Sequence, residues 1–298
     1  MFPLQCRSLA LLTWLTVAAS LALATVAASD RIAVSSSMFR DQFRSTGGKK
    51  IAELGELTLE TLPRYVADRF QLKQLEFWSL HFESRTPGYL AKLKQALADN
   101  HSRLINIQVD GPYRLGSKDE RERLKSVTLV KEWIQVAQQL DCPAIRANPG
   151  PGDLAAAIRS FQELHAVAHE ADILLLTENH LGMETDPNIH MAIHRAIDQP
   201  GFKLIADFGN YPDNERRYAA LTQIMPLAHI VSAKIMSIDE SWRHTTFDFS
   251  RCLEITTQAG FKGVYSIEQW SPKEVPHHPE EIVDWAINEI ETHLTETN

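Results

Sequence analysis

The chain has 298 residues, 44% of them hydrophobic, and 30 Lys and Arg against 38 Asp and Glu give a formal net charge of −8. That apolar content excludes a disordered chain, and 13 Gly and 14 Pro are too few for a collagen or a low-complexity linker protein. The acidic balance argues against a broad basic surface that would hold a nucleic-acid backbone.

In chain order, residues 9–28 carry no charge, and Arg7 is the one charged side chain before Asp30. A short basic start, an apolar run and the small-residue end Val26-Ala27-Ala28 predict a signal peptide over 1–28. Export to the periplasm or the exterior follows, with no membrane contact after cleavage. An uncleaved anchor is the other reading, because the run is about as long as a bilayer span. The rest of the chain keeps Cys142 and Cys252, too few for a disulfide framework, and both read as buried thiols.

From there, apolar runs and helical stretches alternate. Runs rich in Val, Ile, Leu or Phe begin near Ile32, Gln74, Leu104, Ala144, Ile173, Phe202, His229 and Gly263. They lie roughly 33 residues apart, the size of one strand with its crossover helix. Helices are predicted over Leu57–Arg69, Gly88–Asn100, Lys118–Leu140, Leu154–Ala171, Pro187–Ile197, Glu215–Met225, Phe249–Ala259 and Glu280–Leu294. Gly152-Asp153 and Asp186-Pro187 are helix-start signals and Gly260 is a stop. Leu124, Val127, Val130 and Ile134 mark an apolar face on the third helix. Eight buried strands, each trailed by a helix, predict a single α/β domain over 30–298, a (β/α)8 TIM barrel. An open doubly wound sheet is the alternative, but the glycine-rich turn it usually carries after an early strand is missing.

In such a barrel the chemistry sits at the carboxyl ends of the strands. There, strand 5 ends in Thr177-Glu178-Asn179-His180 and strand 6 in Asp207-Phe208-Gly209-Asn210. Strand 7 ends in Ser232-Ala233-Lys234 and strand 8 in Ser266-Ile267-Glu268-Gln269. Three carboxylates at matching positions would repel one another in a buried mouth, and a shared divalent cation removes that repulsion. The plainer reading makes each a separate strand-end residue, solvated or capping the next helix.

The strings Glu178-Asn179-His180, Asp207-Phe208-Gly209-Asn210, Ser232-Ala233-Lys234 and Gly260-Phe261-Lys262-Gly263, with Ile267-Glu268 after them, resemble the xylose isomerase-like barrel superfamily, in particular its sugar phosphate isomerase/epimerase branch. That resemblance implies one divalent metal (Mn, Mg, Co or Zn) held by Glu178, Asp207 and Glu268. It also implies a strand-7 His, but Ser232 stands there. Asn210 replaces a His that often follows the strand-6 Asp. His180, His81 or water is left to complete the set.

These residues support proton transfer on a sugar or polyol. Glu178 and Glu268 would remove and return a proton beside a carbonyl through a cis-enediolate. Lys234 would steady the enediolate oxygen or hold an anionic substrate group, or it would simply salt-bridge Asp207 or Glu268. Glu76, His81, Gln108, Arg146, Asn148, Asn210 and Trp270 are candidate sugar contacts. The readings in play are a metal-dependent sugar isomerase or epimerase, a lyase using the same enediolate on keto-sugars or glycosides, and a non-catalytic carbohydrate-binding barrel that has lost its metal. Export favours unphosphorylated sugars. An apurinic endonuclease is disfavoured by net charge, export and few strand-end histidines. His165/His169 and His190/His194 lack the Glu of an HExxH site and read as outer-helix surface. The Asp119–Lys125 charge run reads as a solvated face.

Overall fold

Every apolar run forms a strand that begins within one residue of its predicted start. The strands are β1 (Ile32–Ser35), β2 (Gln74–Trp78), β3 (Arg103–Gln108), β4 (Ala144–Arg146), β5 (Leu174–Glu178), β6 (Phe202–Asp207), β7 (Ala228–Ile235) and β8 (Val264–Gln269). This is a computed structural model, and it describes residues 27–271 and 276–296. The signal peptide expected over 1–28 therefore lies, but for its last two residues, outside the described residues. The strands pair in parallel in sequence order and β1 closes on β8. The expected (β/α)8 barrel is formed.

Parallel strands need helices on their outer faces. A single turn, α1 (Ile51–Leu54), precedes the crossover helices α2 (Leu62–Phe70), α3 (Pro87–Asp99), α4 (Glu120–Gln139), α5 (Leu154–Glu170), α6 (Pro187–Ile197), α7 (Asn214–Ile224), α8 (Phe249–Gln258) and α9 (Pro279–Glu296). Asp119, Asp153, Asp186, Asp213 and Asp248 each cap the helix that follows, their carboxylates accepting first-turn amides. Gly260, at φ +70°, reverses the chain after α8. Among the described residues no helix is long and apolar enough to cross a membrane.

Strand alternation divides the core in two. Val34, Leu75, Ile145, Leu175, Val231 and Ile267 face the helices and belong to the main apolar cluster. A separate plug of Ala33, Ile105, Ala144, Leu176, Ile205 and Ile230 fills the barrel interior. Two residues farther along these inward columns come Ser35, Arg146, Glu178, Asp207 and Ser232, all buried. The strand period thus carries polar side chains into the mouth directly above an apolar floor.

Several expectations need correction. The first run, expected to extend through Met38, instead opens a 3-10 helix (Ser36–Gln42) with its last three residues, its turn held by Ser35 Oγ, which accepts from Ser37 N. Leu124 lies 45% exposed, off the apolar face of α4. His190 is fully buried, its Nε2 3.3 Å from the Thr177 carbonyl, so it packs behind β5 and is not surface. Arg123, inside the predicted solvated run, is buried between Glu120 and Glu163. Cys142 and Cys252 are free buried thiols, as expected.

Phe202 is fully buried at the start of β6, with its ring centroid 5.4 Å from that of Phe161. Phe202→Ala should cost about 3–5 kcal/mol in urea unfolding. A loss under about 1 kcal/mol would contradict this packing.

Candidate active site at the carboxyl ends of the strands

The last inward positions of β5, β6 and β8 bring Glu178, Asp207 and Glu268 together, with ligand oxygens all within 4.8 Å of one another. Register explains who sits beside whom: Asp207 pairs with Ser232 across β6 and β7, and Lys234 with Glu268 across β7 and β8. Accordingly Ser232 Oγ donates to Asp207 Oδ2 at 2.9 Å. Lys234 Nζ lies 2.8 Å from Glu268 Oε1 and 3.3 Å from Asp207 Oδ2. It thus makes both salt bridges that its position allows. Arg146, at the end of β4, lies 2.9 Å from Glu178 Oε2 and 2.5 Å from Asp110 Oδ1. The Arg146 Nε and Glu178 Oε2 are an ion pair without an aligned hydrogen bond, since neither atom has a hydrogen-bond partner among the described residues.

The remaining donors come from rigid elements. Asp207 Oδ1 accepts the backbone amides of Gly209 and Asn210 at 2.6 and 2.8 Å. Gln108 Nε2 donates to Glu268 at 2.9 Å and to Glu76 at 3.0 Å, while its oxygen accepts from Ser35. Glu76 also accepts from Asn106 Nδ2 and Ser266 Oγ, both at 2.6 Å. Asn148 Oδ1 accepts the Glu178 amide at 2.9 Å and fixes the end of β5.

Burial pushes Glu178 and Asp207 upward from the usual carboxylate range, against the opposing pull of Arg146 and Lys234. Burial acts the same way on Glu268 but is outweighed by Lys234 and Gln108, which hold it down at about 2. Glu76, paired with neutral donors, is raised by burial to about 7. Burial lowers Lys234, yet Asp207, Glu268 and Glu178 outweigh it and hold the ammonium charged. Burial holds His180 neutral, down at about 4.

Above these groups opens a chamber of about 150 Å³, lined among others by Ser37, Trp78, Gln108, Asp110, Arg146, His180, Lys234 and Glu268. Glu178 and Asp207 do not line it; Arg146, Asn210 and Lys234 stand between them and the space. Of the predicted contacts, Gln108, Arg146, Asn210 and Trp270 line the chamber. Glu76 and Asn148 lie behind its wall, holding Gln108 and Glu178 in place. His81 does not reach it: its ring stacks on Phe43 and its nitrogens bond Ser36 and Thr46. His180 lines the chamber but is not one of the converging ligands. Sequence reasoning passed over Asp110, Trp78, Ser37 and Leu181. Asp110 had a signal, since it follows the β3 run as Glu178 ends the β5 run.

The three carboxylates offer only hard oxygen donors, and Glu178 Oε2 lacks a hydrogen-bond donor. That donor set could hold a divalent cation of the Mg or Mn kind.

The family described as Xylose isomerase-like TIM barrel matches residues 58–293. A search of curated protein sequences finds no significant match. Among solved structures, the chain is similar to D-allulose 3-epimerase from Methylomonas sp. (TM-score 0.67, 15% identity, covering 88% of this chain and 97% of that one). It is similar to a xylose isomerase-like TIM barrel protein from Mycobacterium smegmatis in complex with magnesium (0.65, 13%, 90% and 99%). It is also similar to apo 3-keto-D-glucoside 4-epimerase from E. coli (0.64, 14%, 88% and 99%). At these identities the likeness shows the fold alone.

Glu76 has a clean consequence for stability. An unfolded Glu loses its proton near 4.5, whereas folded Glu76 keeps it up to about 7. Between those values the folded state binds more protons, so stability falls as pH rises through about 4.5 to 7. Glu178 and Asp207 act in the same direction. In chelator, denaturant midpoints at pH 5 and pH 7.5 should therefore differ less in Glu76→Gln than in wild type. Equal differences would exclude a protonated Glu76.

Proposed function

The chain belongs to the xylose isomerase-like TIM barrel family, and on that premise we propose that it is a sugar isomerase or epimerase that moves a proton beside a carbonyl with the help of a divalent metal. The observation that carries this reading is the convergence of Glu178, Asp207 and Glu268 at the strand ends, next to a chamber walled by hydrogen-bonding side chains. The epimerases among the similar structures support it.

Two charged carboxylates face the chamber, Asp110 and Glu268; Asp110 is tied to Arg146 and Trp78 and stands apart from the converging trio, so Glu268 is the base that takes the proton from the carbon beside the carbonyl. Glu178 is the second carboxyl group of the pair; burial raises it, and to return a proton it has to reach past Arg146 and Asn210. The intermediate is a cis-enediolate of the substrate. Arg146 at the end of β4, Asn210 just past β6 and Ser37 in the turn after β1 would present polar groups to its hydroxyls, while Gln108, both of whose amide hydrogens are spent on Glu76 and Glu268, holds the base in place. A divalent cation held by Glu178, Asp207 and Glu268 would supply Lewis-acid polarisation of the carbonyl.

The chamber shares His180, Leu181, Asn210 and Trp270 with a wider groove of about 1030 Å³ that continues past Met183, Ile189, Tyr211 and Pro212. Leu181 and Trp270 are 82% and 52% exposed on that shared rim. This supports a substrate with a substituent beyond the reacting ring, such as a keto-sugar glycoside. The leader-like residues 1–28 support action after export, on unphosphorylated sugars. A sugar-binding barrel without chemistry is the second reading. Ser232 favours it, because its hydroxyl bonds Asp207 where the resemblance places a ligating His.

Incubation with keto-sugars and keto-glycosides in D2O should place deuterium beside the carbonyl. Glu268→Gln should slow the exchange by about 10²-fold or more. Sugar binding without any deuterium uptake would favour the second reading.

A further inference from the structure

We propose that Lys234 is the resident counter-ion of the carboxylate cluster, and that a divalent cation joins the cluster only by displacing its ammonium. The inference rests on reading the three carboxylates as a set able to hold metal. An ionised carboxylate offers about four acceptor directions. On Asp207 all four are filled by the chain itself: Gly209 and Asn210 amides on Oδ1, Ser232 Oγ and Lys234 Nζ on Oδ2. The first two donors are backbone and the third is a short side chain on β7. Lys234 alone sits on a long flexible stem, so it is the donor that can leave.

The same ammonium holds Glu268 Oε1, whose second oxygen is taken by Gln108 and Ser37. One group therefore occupies two of the three carboxylates at once. It cannot leave without a replacement, because that would strand buried negative charge. The exchange is a swap of one cation for another. One contact can persist through the swap: Nζ already donates to Asn210 Oδ1 at 3.0 Å, on the chamber wall that Lys234 itself helps to line. There the displaced ammonium meets the substrate.

A second feature fits this device. Gly209 leaves the path for the Lys234 stem, since a Cβ at 209 would stand 2.6 Å from Lys234 Cδ and 3.0 Å from Cγ. A side chain at 209 would crowd the Lys234 stem and, at 3.0 Å, the Met236 sulfur, while removing none of the three carboxylates.

The test is calorimetric titration of the chelator-treated full chain with MnCl2. Lys234→Gln and Gly209→Ala should each bind Mn2+ at least about tenfold more tightly than wild type. Unchanged or weaker affinity in both variants overturns the proposal, and so does the absence of binding in all three proteins. Should Lys234→Gln fail to fold without metal, Gly209→Ala retains the ammonium and the comparison stands. Wild type gives an independent readout: reductive methylation of Lys234, followed by mass spectrometry, should increase when Mn2+ is added, and constant or reduced labelling overturns the proposal. Neither readout is turnover, so absence of sugar chemistry would sink the proposed function and leave this result untouched.

Discussion

Among the described residues, Glu76, Asp110, Glu178, Asp207 and Glu268 meet at one end of this barrel, with the side-chain cations Lys234 and Arg146 standing among them. Removing an ion from water costs several kcal/mol unless partners replace the hydration, so this imbalance governs what the other residues do. Arg146 serves Glu178 and Asp110, and Lys234 serves Asp207 and Glu268. Glu76 is left to neutral donors and keeps its proton near neutrality. The amides of Gly209 and Asn210, the hydroxyls of Ser232 and Ser266, and the carboxamides of Gln108 and Asn106 complete the arrangement. The mouth is polar because the strands alternate; it is stable because nearly every acceptor in it has a donor.

That arrangement also sets what the site can do. The same features that settle the charges pull the carboxyl pKa values apart, lowering Glu268 through Lys234 and Gln108 while burial raises Glu178. Such a split is what acid–base chemistry on one substrate needs. The proposed proton transfer and the charge balance would draw on one set of contacts, and Lys234 links them because it touches the proposed base, Glu268, and its neighbour Asp207 together.

The architecture was legible in the sequence because buried parallel strands are continuous apolar runs, and their spacing reports the crossover unit directly. Glu178, Asp207 and Glu268 were legible by the same logic, as charges ending apolar runs. Their partners were harder to read. That Lys234 reaches both Asp207 and Glu268 depends on the register of β7 against β6 and β8, and that Arg146 turns to Glu178 depends on β4 lying beside β5. Linear spacing carries no information on either. Helix faces were misread where a residue sat at the edge of an apolar stripe, as Leu124 did. His190 was misread because a helical histidine can point inward as readily as out, and the Thr177 carbonyl gave it a buried partner.

Closure of β1 on β8 has a consequence during synthesis. Glu76 and Ser266, bonded at 2.6 Å, are separated by 190 positions in the chain. A nascent polypeptide that has not yet released β8 from the ribosome holds Lys234 and Asp207 without Glu268, and Glu76 without its hydroxyl partner. Its mouth can settle its charges only when the final strand slots in. Premature termination anywhere before that strand would yield an open sheet with raw edges, a natural client for chaperones and proteases.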